Sequence, residues 1–381
     1  MAPRKLRVAV LFGGRSAEHE ISLLSARFVV EALDRQRFEP VLIGIDKSGR
    51  WLLQEEALLL AGSRDPRRAR LDAERRDVTL APHPGTDGAG SLTVADAGAG
   101  PDASRAGALT SIDVVFPVLH GPMGEDGTVQ GLLELAGVPY VGAGVLGSAV
   151  GMDKDVMKRL LAQAELPIVP YRTVRGGAWR ARRDVVLAEC AELGLPVFVK
   201  PANLGSSVGV SRVTAAGALG EAIDLAMGFD DKVVVEQGLA GVREIECSVL
   251  GNDDPRASLP GEIVVGHPDG FYSYAAKYLD ETGVTTVVPA ALAPAQIAAV
   301  QLLAIRTFQA LDCSGLARVD FFLAGGELYV NEINTMPGFT AISMYPKLWE
   351  ASGLPARELV SALVDLALER AARRRALRTS Y

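Results

Sequence analysis

The chain has 381 residues, which is more than one ordinary hydrophobic core needs and predicts two or three domains. Hydrophobic residues make up 49% of it and charged residues 22%, a composition typical of soluble globular proteins. The net charge of −7 argues against a nucleic-acid partner and against an anionic membrane surface. Because Cys190, Cys247 and Cys313 form no CxxC pair, we expect neither zinc nor disulfides, and a reducing, cytoplasmic location.

The first third of the chain alternates strands and helices. Strands are predicted in LRVAVLF, FEPVLIGID and IDVVFPVLH, and helices in HEISLLSARFVVEALD and GTVQGLLELAG. This alternation indicates a parallel sheet with helices packed on it. The first apolar run, about six residues long, is shorter than the apolar region of a signal peptide, so we interpret it as the first strand.

Residues 62–110 interrupt this pattern. The stretch is rich in Arg, Asp, Ala and Gly, and it includes GTDGAG and DAGAGPDASRAGA, which are close to low complexity. Such composition offers little apolar surface for a core. We therefore interpret much of it as a surface insertion with mobile parts.

Two further regions follow. The helix DKDVMKRLLAQAE opens the second region, which continues through LPVFVKPANLGSSVGVSRV and KVVVEQGL. The third region contains REIECSVLG, an alanine-rich helix, a hairpin and a basic amphipathic helix. Its uncharged stretch 282–305 is interrupted by prolines and falls short of the roughly 20 apolar residues that span a bilayer, so we predict no membrane segment. The predicted domains are residues 1–150, 151–240 and 241–381.

Three glycine-rich loops follow predicted strands. GGRSAEHE lacks the G-x-G-x-x-G spacing of a dinucleotide-binding turn. Glu18 in this loop therefore needs another explanation: it either complements the dipole of the following helix or binds the ammonium group of a substrate. KPANLGSSVGV is not a G-x-x-x-x-G-K-[ST] loop, yet Lys200 precedes a run of backbone donors and hydroxyls that suits phosphates. A plain turn is the alternative. HGPMGEDG puts His120 at a strand end, where ligands bind, although a lone histidine is more often structural.

The hairpin RVDFFLAGGELYVNEINTMPG carries oxygen-bearing side chains on both arms. If its loop has three residues, Gly325 to Glu327, then Asp320 lies opposite Glu332, whereas a two-residue loop separates them. Opposed carboxylates with Cβ atoms roughly 5 Å apart repel each other unless a cation lies between them. Together with Asn334 they offer the hard oxygen ligands that Mg²⁺ takes. A solvated strand face is the alternative.

Motifs spread over residues 7–348 occur in the order of a known family. They are LFGGRSAEHEISLLSA, LHGPMGEDGTVQG, PYVGAG, MDK, VKPANLGSSVGVSRV, VVVEQGL, REIECSVLGN, YSYAAKYLD, and RVDFFL with LYVNEINTMPGFT and SMYP. On these motifs the chain resembles the D-alanine:D-alanine ligases of the ATP-grasp superfamily. The resemblance implies an α/β and α+β ATP-grasp fold with a Rossmann-like parallel sheet at its N-terminal end. It also implies that ATP phosphorylates one D-alanine, that the amine of a second D-alanine attacks the acyl phosphate, and that the product serves peptidoglycan precursor synthesis.

The resemblance further implies the residues of the site. In the family, two Mg²⁺ ions, which Mn²⁺ can replace, are held by ligands that match Asp320, Glu332 and Asn334 of this sequence. Residues that hold ATP correspond to Lys154, Lys200, Ser207, Glu236, Gln237, Leu239, Glu244, Phe271, Lys277 and Phe322. Catalytic residues correspond to Glu18, His120, Ser206, Tyr278, Arg318 and Gly338. Ser343 and Met344 correspond to the carboxylate site of the second D-alanine. Glu18, linked through Ser206 to Tyr278, corresponds to the anchor for the ammonium group of the first. The implied partners are D-alanine, ATP and a second copy of the chain, with no nucleic acid and no membrane.

Three other classes of protein fit less well. A dehydrogenase needs the missing glycine fingerprint. A catalytically silent binding module is expected to lose metal ligands, and another ATP-grasp carboxylate–amine ligase is not expected to contain EHEIS or AAKYLD. Since AAKYLD keeps Tyr278, the resemblance implies an enzyme that makes the D-alanyl-D-alanine amide rather than the D-lactate ester.

Overall fold

The computed structural model describes residues 4–63, 65–83, 90–94, 110–266 and 284–378. The strands are β1 (Leu6–Gly13), β2 (Phe38–Ile45), β3 (Trp51–Gln54), β4 (Val78–Leu80), β5 (Gly90–Val94), β6 (Thr110–Ile112), β7 (Val114–Val118), β8 (Tyr171–Arg175), β9 (Val197–Pro201), β10 (Ser211–Val213), β11 (Lys232–Gln237), β12 (Arg243–Gly251), β13 (Arg256–Ala257), β14 (Gly261–Val265), β15 (Val284–Val287), β16 (Gly315–Ala324) and β17 (Glu327–Asn334). The α-helices are α1 (His19–Ala32), α2 (Glu56–Ala61), α3 (Thr128–Leu135), α4 (Val145–Met152), α5 (Lys154–Gln163), α6 (Gly176–Ala181), α7 (Arg183–Ala191), α8 (Leu219–Met227), α9 (Pro294–Ala310), α10 (Met344–Ala351) and α11 (Ala356–Arg375). Within these ranges, no helix has both the length and the apolar composition needed to cross a membrane.

The N-terminal sheet has the strand order β3-β2-β1-β7. Strands β2 and β7 run parallel to β1, and the edge strand β3 is antiparallel to β2. Side chains alternate along β1, so that Val8 and Val10 enter one core cluster and Ala9 and Leu11 enter another on the opposite face. Burial on both faces explains the continuous apolar run of LRVAVLF and confirms the predicted parallel sheet.

The stretch 62–110 is partly integrated into this domain. Strands β4, β5 and β6 form an antiparallel sheet in that order. Val78, Leu80 and Leu92 are buried in the core cluster that also contains Leu11 of β1. These strands therefore differ from the surface insertion expected here, because short strands leave little periodicity among small and charged residues. Residues 84–89 and 95–109, the richest in glycine and alanine, lie outside the described residues.

The second sheet is antiparallel, with the strand order β10-β9-β11-β8. On one face Val199 and Val235 pack in a core with residues of α7 and α8. Because side chains alternate along a strand, Lys200 and Glu236 project from the other face. The sheet therefore presents a lysine and a glutamate on neighbouring strands.

The third sheet has the strand order β15-β14-β12-β16-β17, with β13 paired to β12. Val249 of β12 and Val319 of β16 pack in a core with Phe308 of α9. By the same alternation, the polar residues Arg318 and Asp320 project from the opposite face. The polar faces of the second and third sheets therefore meet where β9 and β11 approach β17.

The C-terminal helix α11 packs on the N-terminal sheet, although it follows the third sheet in sequence. Leu359 and Leu363 share a core cluster with Val10 and Phe12 of β1. Arg370 of the same helix donates to the carbonyl of Tyr140 at 3.0 Å. Helix α11 therefore connects the N-terminal and C-terminal parts of the fold.

Candidate active site

The hairpin β16–β17 positions two carboxylates through an irregularity in its ladder. Its turn is the two-residue Gly325–Gly326, with φ of 59° and 90°, as favoured hairpin turns with two left-handed residues require. A regular ladder from this turn would put Asp320 and Glu332 on opposite faces. A bulge at Asn331 shifts the register, so that Asp320 pairs directly with Glu332. The three-residue loop is therefore wrong, whereas the pairing of the two carboxylates is confirmed.

Three candidate metal ligands converge at this bulge. Asn334 Nδ2 donates to Asp320 Oδ2 at 3.0 Å, and Lys154 Nζ lies 3.4 Å from Glu332 Oε2. In the described part of the chain, no cluster of three or more His, Cys, Asp or Glu side chains is arranged to hold a metal ion. The protein thus offers two carboxylates and one amide oxygen. This small set of oxygen donors fits Mg²⁺, which usually keeps water and phosphate among its ligands.

Arg318 lies between two carboxylates. It donates to both oxygens of Asp320, through Nε and Nη2 at 2.7 Å each, and its Nε lies 3.0 Å from Glu246 Oε2. Burial by itself would lower the pKa of Arg318, but the charges of Asp320 and Glu246 outweigh it and raise the pKa well above its ordinary value. The site therefore contains a permanent, buried positive charge. Glu246 was missed from the sequence, although it pairs with Asp320 in the sheet.

Glu236 is held between two lysines. Lys200 Nζ lies 2.6 Å from Glu236 Oε2, and Lys158 Nζ lies 3.0 Å from Glu236 Oε1. Burial would raise the pKa of Glu236, but the two ammonium groups lower it to about 2. Lys158 was not predicted, yet it stands four residues after Lys154 on α5, and this spacing puts both lysines on one helix face.

Other residues predicted to bind the nucleotide lie on the second and third sheets or just after β11. The ring of Phe322 lies 5.8 Å from Lys200 Nζ, and Glu244 pairs with Phe322 in the third sheet. The side chain of Gln237 is turned away, since its amide donates to the carbonyl of Leu193 at 3.0 Å. Leu239 follows, half-buried, two residues later.

The glycine-rich loop contacts two parts of the site. The Ser206 hydroxyl donates to the carboxylate of Glu18, as predicted, and Lys154 Nζ donates to the carbonyl of Leu204 at 2.7 Å. Ser206 and Ser207 have φ of 51° and 56°, the left-handed region that non-glycine residues seldom adopt. The loop thus lies between the N-terminal region and the phosphate-binding candidates.

His120 is buried and bound through both ring nitrogens. Its Nδ1 lies 3.0 Å from the carbonyl of Met336, and its Nε2 lies 3.0 Å from Ser25 Oγ. Since a carbonyl only accepts, Nδ1 carries the proton and Nε2 accepts from the serine. Ser25 Oγ in turn accepts from the backbone N–H of Phe339 at 3.2 Å. Burial lowers the pKa of His120, which keeps it neutral. Ser25, missed from the sequence, and His120 hold the segment that contains Gly338.

The N-terminus of α10 lies next to Gly338. Ser343 is the N-cap residue of this helix, and its hydroxyl accepts from the backbone N–H of Thr340 at 3.0 Å. A Cβ atom added to Gly338 would lie 3.0 Å from Ser343 Oγ, so the two residues are close neighbours. The Met344 side chain is buried beside Ile263 and Leu348. Only the backbone of Met344 is therefore suited to bind a carboxylate, as the N–H groups at a helix start do.

Glu125, in the loop after His120, is a buried carboxyl that the sequence analysis did not select. It accepts from the backbone N–H of Gly121 at 2.7 Å. Burial, reinforced by the nearby charge of Glu18, raises its pKa to about 8. Glu125 is therefore protonated at neutral pH.

Three predicted residues, Phe271, Lys277 and Tyr278, lie outside the described residues. The expected contact between Ser206 and Tyr278 falls there as well. The other predicted residues lie on the hairpin β16–β17, on or just after β7, β9, β11 and β12, in the glycine-rich loop, or near the starts of α1, α5 and α10.

The chain is similar to known proteins over almost its whole length. The family model described as D-ala D-ala ligase N-terminus matches residues 7–143, and that described as D-ala D-ala ligase C-terminus matches residues 160–365. A D-alanine–D-alanine ligase A of Escherichia coli (strain K12) is 50% identical over 379 residues, covering 99% of this chain and 99% of the relative.

Solved structures are similar over the same length. The D-alanine-D-alanine ligase from Coxiella burnetii has a TM-score of 0.83 at 39% identity, covering 98% of this chain and 97% of the other. The VanG D-Ala:D-Ser ligase from Enterococcus faecalis has a TM-score of 0.81 at 33% identity, covering 96% of this chain and 100% of the other.

Proposed function

The chain belongs to the D-alanine–D-alanine ligase family, and from this premise we propose how its residues divide the work of the reaction. The enzyme is an ATP-dependent, ADP-forming ligase with the ATP-grasp fold, which joins two D-alanine molecules for peptidoglycan precursor synthesis. One observation carries the assignment of its site. The Asp320–Glu332 pair, Arg318 and Lys200 meet where the polar faces of the second and third sheets approach each other.

Asp320, Glu332 and Asn334 hold two Mg²⁺ ions in this proposal, and Mn²⁺ can replace them. The bound ions neutralise the charge of the nucleotide phosphates during phosphoryl transfer. In the structure Arg318 pairs with Asp320, and Lys154 lies beside Glu332. Metal ions held by these carboxylates would leave the two cations available to anionic groups of the substrates.

The second sheet and its neighbours bind ATP. Lys154 and Lys200 contact the phosphates, and the loop around Ser207 covers them. The adenine lies against Glu236, the backbone of Gln237 and Leu239, while Glu244 contacts the ribose. Phe322, Phe271 and Lys277 complete the pocket. Support comes from the position of Lys200, which lies near Phe322, Glu236 and Asn331 at once.

The first D-alanine lies between the N-terminal region and the hairpin. Glu18 binds its ammonium and is oriented by Ser206, with Tyr278 completing the group. The carboxylate of this substrate takes the γ-phosphoryl group, giving D-alanyl phosphate and ADP. Arg318 and the N–H of Gly338 stabilise the oxyanion that forms at the acyl carbon in the next step. Through its bond to the Met336 carbonyl, His120 holds the Gly338 segment in place.

The second D-alanine binds through its carboxylate to Ser343 and the backbone N–H of Met344, at the start of α10. Its amine attacks the acyl phosphate, so that a C–N bond forms, the C–O bond to phosphate breaks, and the amine loses a proton. Enclosure of the site protects the acyl phosphate from water.

The proposal also covers the domain division, the cellular location and the oligomeric state. The domains are residues 1–150, 151–240 and 241–381, with α11 returning to the first. The enzyme is a cytoplasmic homodimer, and Leu135, Val145 and Leu146 support an interface on the first domain, since these apolar side chains are exposed on α3 and α4.

A coupled assay of purified enzyme with ATP, Mg²⁺ and single amino acids tests the proposed function. We expect phosphate release that depends on D-alanine and matches the D-alanyl-D-alanine detected by mass spectrometry, with little release from L-alanine. D-serine belongs in the assay as an acceptor, because a relative 33% identical is named a D-Ala:D-Ser ligase. Equal turnover of L- and D-alanine, or D-alanyl-D-serine as main product, would overturn the assignment.

A further inference from the structure

One carboxylate, Glu236, is buried against two ammonium groups. The side chain of Glu236 is 3% exposed, and those of its partners Lys158 and Lys200 are 0% and 11% exposed. One oxygen of the carboxylate lies 3.0 Å from Lys158 and the other 2.6 Å from Lys200. Two amino groups therefore lie against one carboxylate in a largely enclosed site; burial lowers the pKa of Lys158, and the charge of Glu236 opposes this shift.

The two lysines are held differently. Lys200 also donates to Asn331 Oδ1 at 3.3 Å, next to the metal-ligand candidate Glu332, so its ammonium reaches toward the catalytic hairpin. Lys158 lies under the ring of Tyr171, at 5.7 Å, and is fully enclosed. In the described part of the chain, Lys158 Nζ and Glu236 Oε1 have no well-aligned hydrogen-bond partner, so their contact is chiefly electrostatic. Lys200 is thus able to turn toward a phosphate, whereas Lys158 is not.

We propose that Lys158 is a positioning residue for nucleotide selection: it is the fixed counter-ion that keeps Glu236 ionised when Lys200 turns to the phosphates, and it thereby sets the preference for adenine. The inference rests on the proposed roles of Lys200 at the phosphates and Glu236 at the adenine. It adds a specificity-determining function to a lysine that touches neither substrate.

The preference follows from hydrogen-bond chemistry. An ionised carboxylate only accepts, so it pairs with the 6-amino group of adenine and repels the 6-oxo group of hypoxanthine. A protonated carboxyl also donates, and it pairs with the oxo group as well. Without Lys158, a buried Glu236 that loses Lys200 to the phosphates has no counter-charge and takes up a proton. Discrimination between the two bases then falls.

Other charged groups around the cluster do not replace Lys158. Lys154 of α5 is bound to Glu332 and to the Leu204 carbonyl. Among the described residues, the other titratable groups that act on the cluster are Tyr171 on β8, Glu244 on β12 and Glu332 on β17. None of these three side chains is a cation, so none replaces the ammonium group of Lys158 beside Glu236.

The test measures binding of ADP and of inosine diphosphate by calorimetry, with Mg²⁺ present. Wild type is expected to prefer ADP. In Lys158→Met we expect ADP affinity to fall about tenfold or more while inosine diphosphate affinity changes little, because a buried charge has lost its partner. Measurements in buffers of different ionisation enthalpy should show proton uptake on ADP binding that wild type lacks. Lys232→Met is the control, since this lysine is also largely enclosed, with its side chain 12% exposed, but pairs with Asp153.

Lys158→Met should fold, because Glu236 keeps Lys200 in the free enzyme. If it does not fold, Lys158→Gln replaces it in the test. Gln keeps a hydrogen-bond donor but carries no charge, so this variant must also lose the preference for ADP over inosine diphosphate. The inference would be overturned if a variant bound ADP and inosine diphosphate more weakly by the same factor, or if its preference for ADP equalled that of wild type. It would also be overturned if Lys158→Gln regained that preference. A wild type that binds both nucleotides equally would instead refute the proposed adenine contact of Glu236, and the inference with it.

Discussion

Ser206, in the glycine-rich loop, donates a hydrogen bond to the carboxylate of Glu18, which lies 188 residues earlier at the start of α1. The bond joins the loop beside the phosphate-binding candidates to the region proposed to hold the first substrate. Ser206 and Ser207 both have positive φ, a conformation that costs roughly 1 kcal/mol or more for each residue. Such backbone strain lowers the free-energy cost of opening the loop.

The loop is therefore expected to open readily in the free enzyme and to be held closed by ligand. We predict that residues 205–209 exchange their amide hydrogens faster in the free enzyme than in the complex with ATP and substrate, because the acyl phosphate must be shielded from water. The segment 270–283, for which the same closure was expected, lies outside the described residues. Hydrogen exchange followed by mass spectrometry measures the change. Equal protection of residues 205–209 with and without nucleotide would contradict the prediction.

The carboxylate pair gives a prediction about metal dependence. Glu332→Gln should lower turnover by more than about a hundredfold and leave the folded structure intact, because the charge serves a metal ion and not the core. Steady-state kinetics over a range of Mg²⁺ concentrations, with circular dichroism for the fold, are the measurements. Glu327→Gln, on the exposed start of the same strand, should keep normal activity. Near-normal turnover of Glu332→Gln at ordinary Mg²⁺ would remove Glu332 from the ligands.

The hairpin also illustrates what sequence patterns reveal. Its two strands and glycine turn follow from local propensity. The facing of Asp320 and Glu332 depends on the bulge at Asn331, whose trace in the sequence is the three-residue spacing between the core residues Val330 and Ile333. The sequence analysis linked this pairing to a three-residue loop, whereas the bulge produces it with a two-residue turn.

Residues whose role depends on partners far away in the chain could not be predicted from the sequence, for a different reason. Ser25 meets His120 from 95 residues away, and nothing around either residue encodes that contact. Lys158 stands one helical turn from Lys154, and the spacing alone would have singled it out. The return of α11 to the N-terminal sheet likewise depends on packing between segments far apart in the chain.

The contact between Ser25 and His120 predicts a selective loss of rate. Ser25→Ala removes the acceptor of the Phe339 N–H and the donor to His120, so the Gly338 segment should become less ordered. We expect kcat to fall about tenfold with little change in KM, since a buried hydrogen bond costs roughly 1–3 kcal/mol to break. Ser22→Ala is the control, because Ser22 is equally buried on α1 but binds Gly13 and Val118. If both variants lose stability and kcat equally, Ser25 has no positioning role.

The choice of nucleophile gives a fourth prediction. A second D-alanine must lose its ammonium proton before attack, and α-amino groups have a pKa near about 8. In the proposed mechanism the phenol of Tyr278 would offer hydrogen bonds without adding a cation, whereas a protonated histidine at this position would repel the ammonium form of D-alanine and favour a neutral hydroxyl nucleophile. We predict D-alanyl-D-alanine as the product between pH 6 and 9, and a changed pH profile in Tyr278→Phe. Predominant D-alanyl-D-lactate from wild type, or an unchanged Phe profile, would contradict these expectations.

Glu125 predicts how stability changes with pH. Its pKa is about 8 in the folded protein, against an ordinary value of 4.5. Between these values the folded state keeps a proton that the unfolded state has lost, so stability falls as pH rises through this window and levels off above it. Glu125→Gln keeps an acceptor for the Gly121 N–H but cannot ionise. We expect it to be more stable than wild type at pH 7, by on the order of 3 kcal/mol at most, with little difference near pH 4.5. Urea unfolding from pH 5 to 9 measures the difference between the two proteins. A constant difference across that range would mean that Glu125 has an ordinary pKa in the fold, and that burial beside Glu18 does not hold its proton.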